Sequence, residues 1–77
     1  MNDRRGGSMP LVMAGIGEES YIKRIKGRDE TKNFLEKLGF VVGGKVMVVS
    51  KNNGNIIVNV KDSRVAISKE MATRIMI

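Results

Sequence analysis

Apolar positions along this chain change their period several times, and each change predicts an element. Phe34, Leu35 and Leu38 fall at i, i+1 and i+4 with Thr31 one turn earlier, which predicts a short helix with one buried face. Gly39 follows at once, in the place where a helix takes a left-handed C′ residue. With Gly39 at C′, Phe40 is C″ and Leu35 is C3, the apolar pair that accompanies a Schellman cap. Val41, Val42, Gly43 and Gly44 then lead into Lys45–Ser50, where Val46 and Val48 alternate with Met47 and Val49 as on a strand.

The flanking segments follow the same logic. Met1–Ser8 has no apolar residue after Met1 and is expected to be a disordered leader, with one folded domain over residues 9–77. Pro10 suits the first residue of an edge strand, ahead of the apolar run Leu11–Met13. Glu19–Lys26 reads as a strand whose apolar residues, Tyr21, Ile22 and Ile25, break strict alternation and predict a bulge or strong bend. Gly27 ends it, and Asp29 is the expected N-cap of the helix, with Glu30 also favourable to the helix dipole. Asn53-Gly54 predicts a type I′ hairpin into a strand with Ile56, Val58 and Val60 on one face. Asp62-Ser63 predicts a turn into Arg64–Ile67 with Val65 and Ile67 inward. Ser68 is placed to cap a short 3₁₀ turn through Met71 and Ala72, and Arg74–Ile77 closes the chain as a strand.

The pattern is mainly β: five to six short strands with one short α-helix. Strands this short bury their faces best by curling into a small barrel, which also removes exposed edges. The expected fold is therefore a small SH3-like barrel with the helix plugging one end.

Composition narrows the chemistry. There is no cysteine and no histidine, which excludes disulfides and any zinc or iron site built on thiolate or imidazole. No apolar run reaches the roughly 18 residues of a membrane span, and no signal peptide is evident, so a cytoplasmic location is expected. Fourteen Lys and Arg against eight Asp and Glu give a formal charge of +6, but the cations are dispersed apart from Lys23-Arg24 with Lys26 and Arg28.

Two motifs invite a catalytic reading and fail it. Gly39-Phe40-Val41-Val42-Gly43-Gly44-Lys45 nearly spells a P-loop, but Val46 stands where a hydroxyl would hold Mg²⁺. The stretch also follows a helix and opens a strand, the reverse of a P-loop. The carboxylate pairs Glu18-Glu19 and Asp29-Glu30 are adjacent in sequence, so they do not face one another. An enzyme is not expected. Core filling accounts for Met13, Met47, Met71 and Met76 better than a thioether metal stripe does. For single-stranded nucleic acid, Tyr21 beside Lys23 and Arg24 is the sole aromatic platform left once Phe34 and Phe40 are assigned to the helix and its cap.

With these residues laid out, the chain resembles the FeoA family. The resemblance rests on an ordered set over residues 9–77: Ile16-Gly17-Glu18, then Ile22, Ile25 and Gly27; Phe34 through Phe40 with Gly43; Val46 with Val48; Asp62 through Ile67; Glu70-Met71-Ala72; and Ile75-Met76-Ile77. Three positions depart from it: Phe34 stands where an arginine is frequent, Val42 where a proline is common, and Ser68 in place of an arginine. The resemblance implies an SH3-like domain and an accessory role in bacterial ferrous iron uptake beside the FeoB-type membrane transporter, with no cofactor and no small-molecule substrate. The alternative is a basic SH3-like module of nucleic-acid-binding or metal-regulator type.

A domain of this size cannot bury all of Tyr21, Phe40, Val41, Val42, Met47 and Val49. The expected partner surface is Tyr21, Lys23, Arg24, Leu38, Gly39, Phe40, Val41, Val42, Gly43 and Met47. Gly43 and Gly44 would admit a close backbone, or strand addition beside Lys45–Ser50. The partner is the cytosolic part of the transporter or a second copy of this chain. The basic residues add steering, and a membrane is met only through the transporter.

Overall fold

The computed structural model describes residues 8–77. The disordered leader expected over residues 1–8 thus lies, apart from Ser8, outside the described residues. The order is a 3₁₀ turn (Leu11–Met13), β1 (Glu19–Tyr21), β2 (Arg24–Ile25), α1 (Asp29–Leu38), β3 (Lys45–Lys51), β4 (Asn55–Val60), β5 (Ser63–Ser68), α2 (Lys69–Thr73) and β6 (Ile75–Met76). The chain is mainly β, with six strands as the pattern of apolar positions predicts. β1-β3-β4-β5 form one antiparallel sheet and β2-β6 a second, and the ladders of the two do not join into a closed barrel.

The helix stop is the one expected. Gly39 has φ 110°, its N–H donates to the Glu36 carbonyl at 2.9 Å, and the Phe40 N–H donates to the Leu35 carbonyl at 2.9 Å. These are the two bonds of a Schellman cap, and both Leu35 and Phe40 are completely buried. Thr31, Leu35 and Leu38 form the inward face, whereas Phe34 stays 48% exposed and is not part of the cap. The other end differs from expectation: Arg28, not Asp29, is the N-cap, and it makes no side-chain cap bond. Asp29 and Glu30 occupy the first turn, where they act through the helix dipole alone.

The broken alternation at Tyr21-Ile22-Ile25 is a corner where the chain changes sheets. Tyr21 still pairs with Lys45. Ile22, almost fully buried, donates to the Gly44 carbonyl at 2.9 Å and accepts from the Gly43 N–H at 2.8 Å. The Lys23 N–H then donates to the Met76 carbonyl at 2.7 Å, which opens the pairing of β2 with β6. The bulge lies elsewhere, at Val49: Val48 opposes Val58 and Ser50 opposes Ile57, leaving Val49 as the extra residue on β3. Pro10 forms a single antiparallel bridge with Met76, after which the apolar run coils into the 3₁₀ turn. It buries Leu11 but leaves Met13 exposed, so Met13 does not fill the core.

Turn chemistry holds the main surprise. The β3–β4 hairpin keeps the register expected around Asn53-Gly54, but neither residue has positive φ, so the turn is not type I′. The Asn52 side-chain carbonyl accepts from the N–H groups of Gly54 (3.3 Å) and Asn55 (3.0 Å), and so replaces the backbone turn bond. The left-handed pair is instead Lys61 (φ 50°) and Asp62 (φ 64°), one residue earlier than the turn expected at Asp62-Ser63, with Val60 paired to Ser63 across it. Ser68 caps as expected, accepting from the Met71 N–H at 3.1 Å, but the turn it caps is α-helical rather than 3₁₀.

Candidate functional site

The alternation of β3 and β4 decides what the main sheet shows to solvent. Val46, Val48, Ile56, Val58 and Val60 point into the core. Met47 and Asn59 therefore face outward, and the register extends them into one row across four strands: Glu19, Met47, Asn59, Arg64. A groove of about 510 Å³ opens over this row, walled by Gly39 and Gly44 at the helix exit and by Lys45, Lys61 and Asp62 at its rim. Lys45 Nζ lies 3.7 Å from Glu19 Oε2, with both side chains more than half exposed, a pair that solvent screens strongly.

A ridge borders the groove where β1 meets the turn after the helix. The Ile22 bonds to Gly43 and Gly44 fix that turn beside the end of β1, which brings Tyr21 and Val42 to the same corner. Tyr21 is 61% exposed and Val42 67% exposed. Gly43 holds φ 88° with no atom within 4 Å of where a Cβ would sit, so the turn needs glycine for its backbone and not for space. Val41 is half-buried beneath the turn.

The ten residues of the expected surface are thus divided. Tyr21, Val42 and Gly43 form the ridge, Met47 and Gly39 belong to the groove, and Val41 and Leu38 are half-buried beside them. Phe40 is fully buried and supports this surface from below, so no partner touches it directly. Lys23 sits at the corner itself, while Arg24 belongs to the second sheet, opposite Met76, on the far side of the break. Strand addition beside Lys45–Ser50 is blocked: β3 lies between β1 and β4, and its Val48 carbonyl already accepts from the Gly17 N–H at 2.8 Å. Sequence reasoning missed Glu19, Asn59, Lys61 and Arg64 as groove residues. Their signal is the register, which becomes readable once the tight turn is placed at Lys61-Asp62.

Among the described residues, no three acidic side chains cluster to hold a metal ion, and no helix is long and apolar enough to cross a membrane. The groove is open to solvent, and its rim mixes both signs of charge.

Comparison with known proteins places these features in context. A family model described as the FeoA domain matches residues 9–77. A protein of Methanocaldococcus jannaschii, provisionally named Fe(2+) transport protein A, is 34% identical over 68 residues, covering 88% of this chain and 83% of its own. A crystal structure described as an iron uptake regulatory protein (FeoA) superimposes with a TM-score of 0.84 at 28% identity, over 91% of this chain and 95% of the other. FeoA of Stenotrophomonas maltophilia, solved with zinc and described as a procaryotic SH3 domain protein, gives a TM-score of 0.76 at 25% identity, over 87% and 86% of the two chains. The fold is accordingly SH3-like.

Proposed function

The chain belongs to the FeoA domain family, which is associated with Fe(2+) transport, and from that premise we propose that it is a cytoplasmic, non-enzymatic accessory protein of ferrous iron uptake. It acts by docking its ridge and groove on the cytosolic part of a FeoB-type membrane transporter. One observation carries this reading: Tyr21 and Val42, the two most exposed large apolar residues of this corner, sit on two segments that backbone bonds through Ile22 tie together. Exposed apolar side chains at a corner next to a groove with charged residues at its rim have the composition of an interface, with an apolar centre and a charged rim. Lys45, Lys61 and Arg64 against Glu19 and Asp62 leave the groove with a small positive excess, which favours an acidic partner and speeds its approach.

The nucleic-acid reading is weakened by the same geometry. Tyr21 lies on one sheet and Arg24 on the other, so the break between the sheets parts the aromatic platform from Arg24, and of that pair only Lys23 stays at the corner.

The proposal is tested by ferrous iron uptake in cells whose own copy is replaced by Val42→Asp. Val42 is exposed, so the variant folds, and uptake falls toward that of cells lacking the protein. Lys32→Asp, on the solvent side of α1, leaves uptake unchanged. Normal uptake with folded Val42→Asp removes the ridge from the account.

A further inference from the structure

Barrel closure would have left no free edge, but this sheet keeps one. β5 pairs with β4 on one side, and among the described residues no strand pairs with its other side. The register says which backbone groups face that open edge. Val60 and Ser63 flank the two-residue turn at Lys61-Asp62, and such a pair exchanges both hydrogen bonds. By alternation Ser63, Val65 and Ile67 turn their N–H and C=O groups toward β4. The bond from the Lys69 N–H to the Gly54 carbonyl at 3.1 Å extends the same odd-numbered set. Arg64, Ala66 and Ser68 therefore direct theirs outward, into solvent.

This edge has few of the features that keep strands apart. It is six residues long, unbulged and without proline, and Arg64 is its one charged residue. Ser63, Ala66 and Ser68 are small, so another backbone can approach. We propose that β5 is a self-association edge, where a second copy of this chain adds its own β5 antiparallel about a two-fold axis through Ala66.

The outward-facing set narrows that register. Of the antiparallel pairings open to Arg64, Ala66 and Ser68, the one that engages all three on both strands sets Ala66 opposite Ala66 and Arg64 opposite Ser68. On the opposite face Val65 meets Ile67, which covers the half-exposed side of Val65. No like charges oppose one another along the paired strands, the condition for stable cross-strand neighbours. Because the axis is perpendicular to the sheet, the eight-stranded product shows both Met47 grooves on one face. The two β3 strands lie five strand spacings apart, about 24 Å. This assignment is independent of the transporter reading, although together they make the dimer a bivalent platform.

Amide hydrogen exchange on the full chain, from tens of micromolar to about 1 mM protein, tests the edge directly, because a five-residue seam forms a weak dimer. The amides of Arg64, Ala66 and Ser68 should slow by about ten-fold as concentration rises, while Ser63, Val65 and Ile67 are protected throughout. Sedimentation should show a matching rise toward twice the monomer mass. Ala66→Lys puts two cations on the axis at an exposed position and should abolish both effects, whereas Val42→Asp should leave both intact. Exchange at the three outward amides that is independent of concentration overturns the proposal. So does a dimer that persists in Ala66→Lys.

Discussion

Gly39→Ala isolates the conformational cost of the helix stop. The residue holds φ 110°, and a Cβ built there meets Val60 Cγ2 at 3.4 Å and Lys61 Cδ at 3.6 Å, ordinary contact distances. The substitution is therefore limited by backbone strain and not by space. An L-residue in the left-handed region costs about 1–2 kcal/mol. Alanine recovers about 0.4–1 kcal/mol by restricting the unfolded chain. The net loss is about 1 kcal/mol, which lowers the thermal midpoint of a domain this size by about 4–8 °C. Gly39→Val adds Cγ atoms on the side of Val60 and Lys61 and should cost more. Gly43→Ala, at φ 88° with open space around it, gives the strain term without any contact and should match Gly39→Ala. Thermal and urea unfolding followed by circular dichroism measures all three. Unchanged midpoints for both alanine variants would refute the strain argument, and a large loss for Gly39→Ala alone would show that packing dominates.

Three other changes test the turn, the support beneath the ridge and the ridge itself. Replacing Lys61-Asp62 by Asn-Gly supplies the residues that positive φ favours at both positions, and the urea midpoint should rise by an amount equivalent to about 1 kcal/mol. Phe40→Ala empties a completely buried site and should cost about 3–5 kcal/mol. Val42→Asp at the exposed ridge should change stability by no more than about 0.5 kcal/mol.

Features written locally were legible in the sequence. Gly39, Leu35 and Phe40 lie within six residues and specify both the cap and the direction of the exit. Ser68 and Met71 specify the second cap in the same way. Features that depend on distant partners were not legible. Nothing near Ile22 says that its bonds go to Gly43 and Gly44, or that Lys23 will bond to Met76, so the strand expected over residues 19–26 splits between two sheets. Asn53-Gly54 has the composition of a type I′ turn, yet Asn52 bonds the turn through its side chain and removes the need for positive φ. The expected partner surface fared similarly. Its exposed members follow from the helix exit, while Phe40 turned inward, Arg24 went to the other sheet, and the groove row awaited the register of β3, β4 and β5.

The docking surface itself is reached most directly by a chemical-shift titration of the isotopically labelled chain with the soluble cytosolic domain of the transporter. The account predicts that the perturbed amides cluster at Tyr21, Val41–Gly44, Lys45 and Met47, with Asn59 and Arg64 following across the groove, and that Val42→Asp abolishes the shifts without unfolding the domain. Shifts confined to β2, α2 and β6, or full binding by Val42→Asp, would contradict it.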